Sequence, residues 1–256
     1  MARHRLNLDL KDLSRLALAL HGPYGAGKTF LQGDFLVWAK EQNKGPVHFL
    51  NIEGEDGFAS LASLGLGNAG ETVESTADFE AALRDYHAEK TFGLAVDSLP
   101  AYYNLLLKSY LGTVRYPDPK QDGERAKMVW GQVSMGLINA VALSRAAAPY
   151  VFWVSPYDKS EDAIGGSGTK TITPNLPGKL AQAIAGAFDF VGYLTAQTMG
   201  PQQVVRKITF APSVNVLTRQ RISRPITQDI VVPEGRGGWK AIMTALEAAL
   251  VEPKKT

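Results

Sequence analysis

A chain of 256 residues with 45% hydrophobic residues is long enough to build the core of one large α/β domain. Its 27 Lys and Arg residues nearly balance 25 Asp and Glu residues, which excludes a surface that is basic throughout but allows a local basic patch. It has no cysteine, which excludes disulfides, thiolate metal sites and cysteine nucleophiles. No apolar run is long enough to cross a membrane and no signal peptide is recognisable, so we expect a cytoplasmic protein without a membrane partner.

Strand-like and helix-like segments alternate along the first part of the chain, which predicts a mainly parallel central sheet with helices on both faces. A capping-box pattern, Ser75 with Asp78, marks the start of the second helix. The predicted strands are Leu16–His21, Val47–Asn51, Gly93–Asp97 and Tyr150–Ser155, and the predicted helices are Lys28–Gln42, Ala77–Lys90 and Glu124–Ala147.

The C-terminal part differs, because β-rich segments there follow one another with short turns between them. This pattern predicts antiparallel strands closing one edge of the sheet. The segments are Phe190–Gln197, Val204–Ala211 and Val214–Arg221, followed by a short amphipathic helix at Trp239–Leu250. We therefore expect a single α/β domain over residues 1–256, with its core at about 14–225 and the C-terminal helix at about 239–250.

A glycine-rich motif lies between the first predicted strand and the first predicted helix. It fits G-x-x-x-x-G-K-[ST] at every fixed position from Gly22 to Thr29. Glycines let backbone N–H groups wrap a polyphosphate, Lys28 adds a positive charge, and the Thr29 hydroxyl is a ligand for Mg²⁺. The alternative, a glycine turn beside a surface lysine, leaves the flanking strand and helix unexplained. The predicted nucleotide-binding residues are Gly22, Pro23, Tyr24, Gly25, Ala26, Gly27, Lys28, Thr29 and Phe30.

The predicted strand Gly93–Asp97 is apolar and ends in an aspartate, which is the Walker B pattern. We expect Asp97 to hold Mg²⁺ beside Thr29, the alternative being a plain strand-end cap. No Asn-Lys-x-Asp segment for guanine is present, so ATP is the expected nucleotide.

Hydrolysis also needs a group that activates the attacking water. An acidic, glycine-bearing loop follows the strand Val47–Asn51, and parallel strand order would bring this loop next to the P-loop. Glu53 is the predicted base and Glu55 the second candidate. The alternative is that these acids merely complement the dipole of a following helix.

The three motifs together resemble the RecA-like ATPases: Gly22–Thr29 with proline in second place, the strand-end Glu53, and Val96-Asp97-Ser98. With its compact length, the chain is most similar to the phage-encoded RecA-like proteins of single-strand annealing and recombination. The resemblance covers roughly Leu16 to Pro225. It implies a RecA-like P-loop NTPase fold, ATP hydrolysis with Mg²⁺, a water activated by Glu53, and a phage protein in a bacterial host.

The same resemblance implies single-stranded DNA as a partner. Two long irregular segments, Gly112–Gly123 and Tyr157–Pro174, match the family's DNA-facing loops and are expected to follow strands at the ligand edge of the sheet. Basic and aromatic side chains suit phosphate contacts and base stacking, whereas acids in both segments favour ordinary solvated loops as the alternative. The candidate DNA-binding residues are Arg115, Tyr116, Lys120, Lys159 and Lys170.

The family also carries a basic pair that reaches the γ-phosphate of the neighbouring subunit. Arg219 and Arg221 occupy the similar place here, so the resemblance makes them candidate trans-acting groups in a homo-oligomer, either a ring or a filament. The alternative is an ordinary basic edge strand, which resists aggregation. One departure concerns the polar sensor after the fourth strand, where this chain has Ser155 followed by Pro156.

The sequence thus favours an oligomeric, Mg-dependent ATPase that binds single-stranded DNA in phage recombination or annealing. A single-strand DNA-binding protein is a further partner that the resemblance suggests. Two alternatives use the same nucleotide residues: a hexameric DNA motor of the helicase or packaging type, and a nucleotide-gated binding protein with slow hydrolysis.

Overall fold

A computed structural model describes residues 13–55, 57–67, 69–112, 119–160, 171–177, 179–199 and 204–250. It leaves out the side chains of residues 119–122, 125–126 and 158–160. The strands are β1 (Leu16–Gly22), β2 (Val47–Ile52), β3 (Gly70–Val73), β4 (Gly93–Asp97), β5 (Tyr150–Ser160), β6 (Thr171–Pro174), β7 (Phe190–Thr198), β8 (Val204–Thr209), β9 (Arg219–Gln220) and β10 (Ile230–Val232). The helices are α1 (Lys28–Glu41), α2 (Phe58–Ala62), α3 (Thr76–Ala88), α4 (Leu99–Leu111), α5 (Pro119–Ala147), α6 (Leu180–Ala185) and α7 (Gly238–Leu250).

The central sheet has the order β10-β8-β7-β1-β5-β4-β2-β3. All neighbours from β7 to β3 pair in parallel, whereas β8 and β10 are antiparallel additions at one edge. The carboxyl ends of β1, β4 and β2 therefore meet at one rim of the sheet, where ligands of α/β proteins bind. The expected α/β architecture, with a mainly parallel sheet and antiparallel C-terminal strands, is confirmed.

Both faces of the sheet are buried, which explains why β1 is apolar throughout. Ala17 and Ala19 face a cluster built with α3, α4, α5 and α6, whereas Leu16, Leu18 and Leu20 face a cluster built with α1 and α7. Alternation along the strand sends successive side chains to opposite faces. Helices on both faces were expected from the alternating pattern, and this is confirmed.

None of the described helices is long and apolar enough to span a membrane.

The first predicted irregular segment, Gly112–Gly123, follows a helix rather than the expected strand. Gly112 ends α4, and residues 119–122 already belong to α5. Gly123 has φ 51° and ψ −116°, which breaks α5 just before the predicted helix start at Glu124. Ser75 caps α3 as the pattern predicted, because its Oγ accepts from Asp78 N at 3.1 Å, and the same Oγ donates to Asp78 Oδ2 at 2.7 Å.

The second segment is a hairpin stem over part of its length. β5 continues to Ser160 and pairs antiparallel with β6, from Tyr157 opposite Pro174 to Ser160 opposite Thr171. The stem leaves the sheet at the rim that carries the P-loop, because β5 lies beside β1 with Pro156 opposite Gly22. The predicted strand Val214–Arg221 is shorter than expected, since only β9 pairs with β7.

Candidate active site

The glycine-rich motif forms a loop between the end of β1 and the start of α1. Gly25 and Gly27 have φ of 75° and 95°, conformations that other residues rarely adopt. Gly22 is required for a different reason, because a Cβ there would lie 2.2 Å from the carbonyl oxygen of Leu194 on β7. The loop residues are thus held by backbone geometry, and the Tyr24 side chain points outward with 82% exposed.

Lys28 lies folded back on the loop. Its Nζ donates to the carbonyl oxygens of Gly22 and Pro23, at 2.9 Å in both cases, and lies 5.6 Å from the centre of the Tyr24 ring. Burial lowers the pKa of Lys28, and the carboxylates of Asp97 and Glu55 partly offset this effect. The ammonium group is therefore held by backbone carbonyls of the loop, with the two carboxylates acting on it only as nearby charges.

Thr29 and Asp97 meet at the rim. Thr29 Oγ1 donates to Asp97 Oδ2 at 2.8 Å, so the first turn of α1 is joined to the end of β4. Burial raises the pKa of Asp97 to about 6, the hydrogen bond from Thr29 lowers it, and the negative charge of Glu55 raises it further. The two residues that the sequence predicts as the metal site are therefore brought together.

The two candidate bases have different surroundings. Ser98 Oγ donates to Glu55 Oε1 at 2.6 Å, and Glu55 interacts electrostatically with Lys28 and Asp97. Glu53 directly follows β2 but pairs with Lys108 of α4, with Nζ 2.5 Å from Oε2. In this conformation Glu55 belongs to the cluster at Asp97, and Glu53 is held by α4.

The sequence matches no protein-family model and no curated protein. Among solved structures, a KaiC-like protein of the hyperthermophilic archaeon Pyrococcus horikoshii is similar, with 16% identity over 86% of each chain and a TM-score of 0.50. The fold is RecA-like. At this identity the similarity concerns the fold alone, so the roles of individual residues depend on the contacts described here.

The residues of this site suit a magnesium ion, because Mg²⁺ prefers oxygen ligands such as hydroxyl and carboxylate. Thr29 and Asp97 would supply two of them. In the described ranges, no group of three or more His, Cys, Asp or Glu side chains is arranged to hold a metal. The remaining ligands would therefore come from phosphate oxygens and water.

Three buried or half-buried polar residues that support the site were not singled out in the sequence. Asn51 donates to Glu55 O at 2.9 Å and accepts from Gly57 N, which shapes the acidic loop. Gln32 donates to Val96 O and Phe152 O, which ties α1 to the sheet. Both could have been noticed in the sequence, because each is a polar residue within an apolar segment. Arg206, whose Nε donates to Ala26 O at 3.1 Å, lies 180 positions away and gave no such signal.

The candidate trans-acting arginines lie elsewhere. Arg221 donates to Gly186 O at 2.7 Å and lies 3.7 Å from Asp189, whose other oxygen accepts from Ala17 N near the start of β1. Arg219 is half-buried opposite Val191. Arg221 is thus bound at the rim opposite the P-loop of its own chain.

All five candidate DNA-binding side chains lie outside what the structure describes. Arg115, Tyr116 and Lys170 fall outside the described ranges, and Lys120 and Lys159 have a described backbone in α5 and β5 only.

Proposed function

We propose that this chain is an Mg-dependent ATPase that binds single-stranded DNA as an oligomer in phage recombination or annealing, in the cytoplasm of a bacterial host. One observation carries the ATPase proposal: the hydrogen bond from Thr29 Oγ1 to Asp97 Oδ2. It lies next to the glycine-rich loop that also contains Lys28. These side chains come from separate elements, α1 and β4, and their meeting at one rim is what polyphosphate chemistry requires.

Each residue of the candidate site has a distinct chemical role in this proposal. The loop amides and Lys28 bind the phosphates, and Lys28 must leave the carbonyls of Gly22 and Pro23 to do so. Thr29 and Asp97 would hold Mg²⁺, which spreads and neutralises charge on the phosphate oxygens. Glu53 takes the proton of the attacking water, in keeping with its place at the end of β2.

Two observations support a link between DNA and hydrolysis. The β5–β6 stem, which leads into the second candidate DNA segment, leaves the sheet beside the P-loop. Lys108, which holds Glu53, lies four residues before Gly112 at the end of α4, and the first candidate segment follows directly. A strand bound at these segments would thus act on the element that restrains Glu53.

The decisive experiment measures ATP affinity by calorimetry and ATP turnover with and without single-stranded DNA at low salt. We expect Lys28→Ala to abolish tight ATP binding, because the phosphate charge then loses its lysine partner. Lys40→Ala is the matched control, since Lys40 is an exposed lysine in the last turn of the same helix. Absence of any adenine-nucleotide affinity in the wild type would refute the proposal.

Turnover that rises with DNA, together with rings or filaments in the electron microscope, supports the DNA and oligomer parts. Directional displacement of a strand would instead assign the chain to the motors. Monomers that ignore DNA would limit the function to nucleotide binding and hydrolysis.

A further inference from the structure

The predicted catalytic base, Glu53, is bound by the only charged side chain of α4. Lys108 Nζ lies 2.5 Å from Glu53 Oε2, and no other residue from Leu99 to Leu111 carries a charge. Most of the other residues of α4 are buried. The helix therefore presents one positive charge to the loop that follows β2, and that charge pairs with Glu53.

The pair directs the Glu53 carboxylate away from the cluster at Asp97. Ser98, which caps the start of α4, donates to Glu55, whereas Lys108 lies in the last turn of the same helix. Ser98 and Lys108 are separated by about 15 Å along the helix axis. The acid whose negative charge acts on Asp97 is Glu55. Glu53 is therefore paired away from the candidate metal site.

The backbone at Glu53 is fixed, so only its side chain has to move to break the pair. Glu53 N donates to Val73 O at 2.9 Å, which extends the pairing of β2 with β3. The turn that follows, at Gly54 with φ 94°, is held by the bonds of Asn51 to the acidic loop. Exposed side chains change rotamer within nanoseconds, so the paired and unpaired forms are in rapid equilibrium.

The pair is weak enough for a competing anion to break. The side chains of Lys108 and Glu53 are 47% and 46% exposed, and pairing at such exposure favours the closed form by a factor of about two to five. The phosphodiester backbone of a nucleic acid offers one negative charge per nucleotide to the same ammonium group, and its binding releases counterions. Lys108 lies one turn before Gly112, where the first candidate DNA segment begins.

We propose that Lys108 is a positioning residue that keeps Glu53 away from the metal site until a phosphate of single-stranded DNA binds Lys108 instead. The proposal rests on the proposed function, because it needs ATP on the P-loop and Glu53 as the base. One positive charge then has two roles. It keeps turnover low in the free protein, and it binds the strand that raises turnover.

The test measures ATP turnover of the full chain without DNA and with saturating single-stranded DNA. We expect Lys108→Ala to raise kcat without DNA by about two- to fivefold and to lower the stimulation by DNA by the same factor. KM for ATP should not change, because Lys108 lies outside the phosphate loop. Lys108→Arg keeps the charge and should behave as the wild type. Lys240→Ala is the matched control, since it removes an exposed lysine from α7 and should change none of these values.

Two further variants separate this role from a purely structural one. Lys108→Gln removes the charge but keeps a long side chain on α4, and it should act as Lys108→Ala does. Thermal unfolding checks that each variant is folded. In a Glu53→Gln background, Lys108→Ala should leave the residual kcat unchanged, because the lysine acts only through Glu53.

An unchanged or lower kcat without DNA in both uncharged Lys108 variants would overturn the proposal. A rise that persists in the Glu53→Gln background would overturn it too, because Lys108 would then act on another group. A raised kcat with undiminished stimulation by DNA would refute the release by DNA. If the wild type does not hydrolyse ATP under any of these conditions, the ATPase proposal fails and this inference fails with it, which is a distinct outcome.

Discussion

At the residue scale, the burial of Asp97 lowers the folding stability of the ligand-free protein. The residue is 5% exposed, and burial raises the pKa of its carboxyl group to about 6 from 3.8. Since the folded state prefers the protonated acid, ionisation at neutral pH destabilises the fold. The hydrogen bond from Thr29 recovers part of this loss.

Asp97→Asn should therefore stabilise the ligand-free protein by about 3 kcal/mol at pH 8 while removing Mg-dependent turnover. The asparagine oxygen can still accept from Thr29, but no charge is buried. The penalty in the wild type is complete above pH 6, shrinks as the pH falls, and vanishes below 3.8, so the two proteins should converge in acid. Chemical denaturation at several pH values measures this, and equal stability at pH 8 would contradict it.

Glu53 and Glu55 give a second contrast between single residues. We expect Glu53→Gln to keep ATP binding and to lower turnover by about 10²–10⁴, the usual worth of a general base. Glu55→Gln removes the negative charge beside Asp97 and should mainly raise the Mg²⁺ concentration needed for turnover. Single-turnover kinetics with a magnesium titration separate these effects. Rapid hydrolysis by the Glu53 variant would assign the base to Glu55.

Among the residues of the site, the sequence identified those that belong to local motifs. Gly22 to Thr29 and Asp97 were found because fixed spacing and a preceding apolar strand mark them. The partners of Glu53 and Glu55, Lys108 and Ser98, depend on how α4 packs over the rim, and no spacing rule contains that information.

At the element scale, buried periodic segments were predictable and short polar ones were not. β1 and β4 are apolar throughout because both faces of a parallel sheet are covered. β3 reads Gly-Glu-Thr-Val at the open edge of the sheet, so it carries no alternating apolar signal. The start of α4 was recognisable in principle, since Ser98 caps it and Pro100 lies in its first turn.

Helix α7 illustrates an element held by a distant charge. Asp34 accepts three hydrogen bonds from two backbone N–H groups at its start, Gly237 N reaching both carboxylate oxygens. This cap could not be recognised from the sequence, because Asp34 and Trp239 are 205 positions apart.

Asp34→Ala should lower the free energy of unfolding by about 2 kcal/mol, since it leaves buried backbone donors without a charged acceptor. Glu41→Ala is a fitting control on the same helix, because its pair with Arg236 is exposed and should contribute less than about 1 kcal/mol. Urea denaturation of the two variants tests the difference. Equal losses would mean that Asp34 does not anchor α7.

At the scale of the whole molecule, the candidate site draws on both ends of the chain. β8 and β10 come late in the sequence but lie on the β7 side of β1, which brings Arg206 to Ala26. Long-range pairing of this kind is decided by the packed fold, so the composition of the C-terminal segments predicted the antiparallel edge but not its contribution to the P-loop.

Asp189 joins three parts of the molecule near the start of β1. It pairs with Arg145 of α5 at 3.1 Å and with Arg221 at 3.7 Å, and it is almost fully buried. A role for Arg221 at a neighbour's nucleotide requires that Arg221 leave this cluster, where Arg145 would remain to balance the carboxylate.

We expect Arg221→Ala to lower ATP turnover at least about tenfold in the assembled protein if the arginine completes a neighbouring site. Mixing Arg221→Ala with Lys28→Ala should then restore part of the activity, since each supplies what the other lacks. Arg84→Ala is a control on exposed positive charge, because Arg84 pairs only loosely with Glu80, at 3.9 Å. No recovery at any mixing ratio would argue that Arg221 serves the Asp189 cluster alone.

The separation between Arg221 and Lys28 has one more consequence. Gly22, the first residue of the P-loop, lies five residues along β1 from the Asp189 contact at Ala17, which is about 17 Å along the strand. A copy that offers its arginine to the next copy must stack tail against head, so the contact joins unlike surfaces and has no twofold axis. Successive copies are then related by a rotation and a rise along one axis. They close into a ring only when the rise is zero and the rotation divides a full turn, and otherwise they form a filament.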